Sequence, residues 1–242
     1  MNTIFHHAEG RGHANHGWLN AKHSFSFANW YDPNKIHFGA LRVLNDDQVA
    51  PAMGFGKHPH DNMEIITLVQ EGALEHKDSM GNGSIMRPND VQVMSAGSGV
   101  FHSEMNPLKD EAVKLFQIWV FPDKHNVTPR YDQQTFLPEG RKNTWQQIIK
   151  PDTQSDEAGI FIHQQAWFNL ADLDANTSLT YTSKKEGNGA YLFVIEGNVT
   201  VNGTDLKSRD ALGITEYKAF EITAANNSRV LVMDLPMLEL TY

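Results

Sequence analysis

Leu68-Val69-Gln70-Glu71-Gly72 returns 125 residues later as Phe193-Val194-Ile195-Glu196-Gly197, and each copy leads into an alternating stretch closed by a glycine turn. A second match, Asn89-Asp90-Val91 against Arg209-Asp210-Ala211, lies at an offset of 120. Self-similarity at a long period marks a duplicated structural unit. Both units read as β, from short runs rich in Val, Ile, Phe and Thr such as Glu64-Ile65-Ile66-Thr67-Leu68-Val69, Leu115-Phe116-Gln117-Ile118-Trp119-Val120 and Tyr191-Leu192-Phe193-Val194-Ile195. Gly, Asn, Asp and Pro separate these runs, as turns require. Closely spaced short strands with few helix signals specify an all-β chain of two tandem β-barrels. Residues 1–135 are assigned to the first barrel and 136–242 to the second. The connection is placed around Pro122 to Gly140, where Pro122, Pro129 and Pro138 fall among polar residues, although strands can cross between the units. The best of the few helix signals runs from Asp156 to Trp167.

The 242 residues include 12 His and no Cys, and 20 Lys and Arg stand against 29 Asp and Glu for a formal net charge of −9. Without thiols there is no disulfide framework, thiolate zinc site, Fe–S cluster or thiol nucleophile, so any metal sits on nitrogen and oxygen. The acidic balance, with no dense Lys/Arg cluster, argues against direct binding to nucleic acid or to an anionic membrane, because those contacts depend on phosphate neutralisation. No apolar run approaches the roughly 18 residues of a spanning helix, and Met1 to His7 lacks the basic and apolar regions of a signal peptide. A cytoplasmic setting is the expectation. The histidines are skewed: His163 alone lies beyond position 125.

Within that histidine-rich half, Gly54-Phe55-Gly56-Lys57-His58-Pro59-His60 carries two imidazoles two residues apart, which an extended chain presents on one face. Pro59 has no N–H for a ladder, so the pair belongs at a strand end or edge. On its own His-x-His is weak evidence. Gly97-Ser98-Gly99-Val100-Phe101-His102-Ser103-Glu104 answers it with His102 and Glu104 at the same spacing after glycines suited to a tight turn. On facing strands, His58, His60, His102 and Glu104 would supply three nitrogens and one carboxylate to one metal, with positions open for substrate. That donor set admits Fe(II), Mn, Cu, Ni, Co or Zn, although closed tetrahedral zinc would leave no position open.

These residues carry a family resemblance. Gly99, His102 and Asn106, with His58, His60, Glu64 and Gly72, resemble the two cupin motifs. Longer blocks resemble the pirin family: Arg11 to Leu19, His23 to Pro33, Leu41 to Asp47, Gly56 to His60 with Met63-Glu64, Glu75 to Gly81, and Ser95 to Gly99 with His102-Ser103-Glu104. They span most of residues 11–131, and the likeness is to bacterial pirin-like quercetin 2,3-dioxygenases, with a looser match to their second barrel in the C-terminal half. The resemblance implies a bicupin of jelly-roll type with one metal per chain, usually iron, on His58, His60, His102 and Glu104. Gly97 departs from the general cupin pattern, where Pro is common. Glu64 is the rival carboxylate, since the glutamate at its position is the ligand in ordinary cupins, whereas Glu104 takes that role in pirins. His-x-Glu mirrors His-x-His and favours Glu104, leaving Glu64 to support a ligand from behind or to face solvent.

The implied activity is oxidoreductase chemistry: O2 opens the heterocycle of a quercetin-like flavonol and carbon monoxide leaves, with Glu104 as ligand and as acceptor of the substrate's hydroxyl proton. Two other readings stand beside it. One is a metal-containing, redox-responsive binding protein acting on a protein partner, as some pirins are described. The other is a metal that only staples the barrel. Among the remaining histidines, His6, His7 and His76 are expected at the surface. His13, His16 and His23 lie among Trp18, Phe25, Phe27 and Trp30, a segment read either as core packed on the barrel or, through His23, Phe25 and Trp30, as lining of the pocket mouth. In the second unit the repeat offsets carry His58 and His60 to Ser183 and Lys185, and His102 and Glu104 to Ile222 and Ala224, so that barrel is expected to hold no metal.

Overall fold

The computed structural model describes residues 1–238, which form 22 strands and two single-turn 3-10 helices, Ala8–Gly10 and Pro138–Arg141. The two copies of the repeat occupy matching places. Glu64–Glu71 and Asn188–Glu196 each lie third in a seven-stranded sheet. Each ends at a glycine in the left-handed region, Gly72 at φ +74° and Gly197 at φ +84°, where a β-carbon would strike backbone of the neighbouring chain. The second match is structural too. Asn89 and Arg209 both have positive φ, and Asp90 and Asp210 accept the backbone N–H of Arg87 and Lys207 at 2.8 and 2.9 Å.

A four-stranded sheet completes each barrel. In the first it runs Gly54–His60, Val100–Met105, Leu74–Asp78, Gly83–Met86, and in the second Ser178–Thr182, Ala219–Ala224, Asn198–Val201, Thr204–Lys207. The two seven-stranded sheets pack on one another through a core that joins Ile66, Phe116 and Ile118 to Phe168, Phe193 and Met233. Phe116 meets Phe193 edge to face, with centroids 5.4 Å apart. Burial on both faces explains why Tyr191 to Ile195 reads as an unbroken apolar run and Ile65 to Val69 as one interrupted by Thr67: those positions are buried in succession.

Three expectations need correction. Asn2–His6 pairs with Ala211–Thr215, so the second barrel's sheet begins with residues the sequence division gave to the first; a hydrogen bond of 2.8 Å between His6 and the Tyr191 hydroxyl holds it there. The polar stretch read as the connection contains the strand Arg130–Thr135, paired with Asp90–Ser95; as an edge strand it tolerates that composition. Asp156 to Trp167 is not a helix. Gly159, at φ +104°, ends a turn before Ile160–Ile162, whose β-branched residues pair in parallel with Gln146–Pro151, and Trp167 opens another strand. Among the described residues, no helix is long and apolar enough to cross a membrane.

Candidate metal centre

Gly54–His60 lies at the edge of its sheet, where Pro59 forfeits no ladder bond, and pairs antiparallel with Val100–Met105 so that His102 stands opposite His58. Before that second strand the chain turns tightly at Gly97, where a β-carbon would run into the Val127 carbonyl. Ring centroids of His58, His60 and His102 are 4.4 to 4.9 Å apart, and one nitrogen from each lies within 4.8 Å of the others. The His58 Nδ1–H donates to the Gly56 carbonyl at 2.7 Å, which fixes the tautomer and frees Nε2 to ligate. His102 is buried and neither of its ring nitrogens has a hydrogen-bond partner among the described residues. Burial and the neighbouring histidines push His60 down to about 4 and His102 down to about 3, so both stay neutral, the form that ligates. An orphaned, neutral imidazole beside two others fits a metal ion.

Glu104 shares the inward face of its strand with His102, and a register shift separates them. It belongs to a second converging group, His76, His102 and Glu104, rather than to the three-histidine group itself, so His102 links the two. The Glu104 carboxylate accepts from Gln117 Nε2 at 2.9 Å and Thr67 Oγ1 at 3.5 Å, while burial pushes its pKa up. His76 corrects the surface expectation. It is fully buried, stacks on Tyr131 at 4.6 Å, and donates through Nε2 to Asp78 at 3.2 Å. The signal was period-two alternation, with Leu74 and His76 turned inward and Lys77 out. His6 is half-buried and only His7 of that pair is exposed.

Glu64 is absent from both groups. Its buried carboxyl accepts from Ser95 Oγ at 2.8 Å; that bond, the His163 backbone N–H from the second barrel and Arg130 from the first partly offset a burial that pushes it up to about 7. The proposed pocket-mouth residues are displaced as well. Phe25 is core against Tyr191, His23 is buried behind Asn45 with a 2.9 Å hydrogen bond, and Trp30 covers Gly12. His13 and His16 are exposed. The cavity beside the histidines, about 240 Å³, is walled by Phe27, Phe55 and Trp119 and by the polar side chains Asn45, Asp47, Glu104 and Gln117. Burial, then Asp46 and Glu104, push the Asp47 carboxyl up to about 8.

Register also revises the second barrel's equivalences. His102 opposite His58 corresponds to Ile222 opposite Leu179, and Val100 opposite His60 to Phe220 opposite Tyr181. Leu179 and Tyr181, not Ser183 and Lys185, therefore stand where the first barrel has histidines; the offset of 125 holds at the Asn188–Glu196 strand and is 120 again by Arg209. Among the described residues, both metal-capable groups lie in the first barrel.

Residues 5–120 match the family described as Pirin, and residues 147–235 match the quercetinase C-terminal cupin domain. Curated relatives include the quercetin 2,3-dioxygenase of Escherichia coli strain K12, 42% identical over 95% of this chain and 96% of its own. The chain belongs to the pirin family. Another pirin relative, the pirin-like protein of Caulobacter vibrioides, is 42% identical over 92% of this chain and 95% of its own. The solved structure of the E. coli pirin YhhW in complex with nickel(II) superposes with a TM-score of 0.91 at 40% identity, covering 98% of this chain and 100% of that one. The bicupin architecture of this pirin is thus shared with its relatives, and its His/Glu groups are ones that could hold a metal ion.

Proposed function

We propose that the chain is a metal-dependent dioxygenase that opens the heterocycle of quercetin-like flavonols with O2 and releases carbon monoxide. The observation that carries this reading is the convergence of His58, His60 and His102, the first two of them on the wall of an aromatic-sided cavity of about 240 Å³. The names of the curated relatives support it. His58, His60, His102 and Glu104 would hold one divalent ion, Fe(II) first, with Mn, Cu, Ni, Co and Zn admitted by the same donors. Bound there, the metal supplies Lewis acidity toward an enolic hydroxyl and a redox-active centre for O2.

The chain's own groups do the rest. Phe27 and Trp119, edge to face at 5.4 Å, form with Phe55 the flat walls that orient an aromatic ring. Glu104, its pKa raised by burial, accepts the proton of the substrate's 3-hydroxyl, and Gln117 and Thr67 hold its carboxylate in place as it does so. His102 and Glu104, at 1% and 3% exposure, keep bulk water from the reacting atoms. Iron-loaded protein in air is expected to consume O2 and bleach the near-visible band of quercetin, with carbon monoxide in the headspace. Unchanged absorbance from protein carrying a full complement of metal overturns the assignment.

A further inference from the structure

The hydrogen-bonding capacity of the cavity's polar wall is almost fully used within the protein. Glu104 accepts from Gln117 and Thr67, the Gln117 carbonyl oxygen stands 3.1 Å from the Thr67 hydroxyl, and Asn45 Oδ1 is held by His23. Asp47 and Trp119 are the exceptions. The Trp119 Nε1–H and Asp47 Oδ1 have no hydrogen-bond partner among the described residues, and Asp47 lines the cavity at 5% exposure. Asn45, two residues back on the same face, is engaged by His23 through its Oδ1, and the residues directly opposite Asp47 on the two paired strands are the apolar Leu115 and Ala21. Buried polar groups in folded proteins are nearly always paired, and leaving one unpaired costs stability. An unpaired carboxyl in a cavity wall is one whose partner arrives through the cavity. Asp47 is also outside both metal-capable groups.

The geometry points to Asp47 as the residue that selects the substrate, by hydrogen-bonding a phenolic hydroxyl on a ring of a polyhydroxylated flavonol, away from the hydroxyl that faces the histidines. This rests on the flavonol reading above and narrows it. A site built to pair a substrate hydroxyl discriminates against the analogue that lacks it, because the buried group is then stranded.

The test is binding without turnover: tryptophan quenching of metal-loaded protein under nitrogen, by quercetin and by 3-hydroxyflavone, which keeps only the chelating hydroxyl. Wild type is expected to bind quercetin about tenfold or more tighter than 3-hydroxyflavone. In Asp47→Leu quercetin weakens about tenfold or more while 3-hydroxyflavone stays within about twofold, and Asp47→Asn, which still hydrogen-bonds, keeps part of the preference. Metal content stays at the wild-type level, and the melting temperature of Asp47→Leu rises, since a stranded polar group has been removed. Equal affinity of wild type for the two flavonols overturns the assignment. So does equal loss of both in Asp47→Leu with a lowered melting temperature, the mark of a structural role. Readmitting O2 separates the two claims: a preference that follows Asp47 without bleaching upholds Asp47 and defeats the dioxygenase. Bleaching of both flavonols indifferent to Asp47 does the reverse.

Discussion

The first barrel places His58, His60 and His102 on the inner face of its four-stranded sheet; at the matching register positions the second has Leu179, Tyr181 and Ile222. What the barrels share is the frame: a strand third in its sheet, a left-handed glycine after it, an aspartate accepting the backbone N–H three residues back. What they do not share is the filling. Ile222 and Tyr181 are ordinary core, packed with Leu192 and Val232, whereas His102 is a buried imidazole with no hydrogen-bond partner among the described residues. Fold and site are therefore separable layers of one sequence, and a cupin-type barrel keeps its shape when its site is replaced by apolar packing.

The contrast can be broken first at the matched pair. His102→Ala is expected to abolish metal uptake, read as metal per chain by elemental analysis. Ile222→Ala leaves metal content untouched but costs about 2–5 kcal/mol in denaturant unfolding, because it opens a cavity in a packed core. Next comes the surface the barrels share. Phe193→Ala removes the edge-to-face contact with Phe116 and is expected to cost about 3–5 kcal/mol, destabilising both barrels together in one cooperative transition.

A smaller effect depends on pH. Burial raises Glu64 to about 7 in the folded chain, above its ordinary value, so the folded state holds the proton more tightly than the unfolded state. That contribution is complete below the unfolded value and is lost as pH rises through about 7. Wild type should therefore lose stability relative to Glu64→Gln between roughly pH 4.5 and 7, with a slope no steeper than the ~1.4 kcal/mol per pH unit of one proton. A pH-independent difference between the two proteins would contradict this. Gly72→Ala and Gly197→Ala are each expected to lower stability in denaturant unfolding by more than the about 1–2 kcal/mol of a left-handed non-glycine residue, because the new β-carbon also meets the backbone oxygen of Ala112 or of Asn227.

Much of this was legible in the chain. Gly72 and Gly197 announce the duplication because only glycine suits both positions, and the two-residue spacing of His58/His60 and His102/Glu104 announces one face of a strand. Other features were hidden for physical reasons. Asn45, Asp47 and Gln117 are polar groups inside a barrel, and nothing in Leu44-Asn45-Asp46-Asp47-Gln48 distinguishes an inward aspartate from its outward neighbour until strand register is known. His76 was masked by the charged Glu75 and Lys77 beside it. The pairing of Asn2–His6 is non-local, and local pattern cannot reveal a partner at Ala211–Thr215.

That last strand also sets a schedule. Asn2–His6 is made before every other described strand, yet its partner leaves the ribosome roughly 200 residues later, a wait on the order of 10–40 s at ordinary rates of synthesis. Until then the second barrel lacks an edge, and the apolar face it will cover on the first barrel stays open. A nascent chain of this protein must therefore close a loop of roughly 200 residues before this sheet is complete, an entropic cost that no local contact repays in advance.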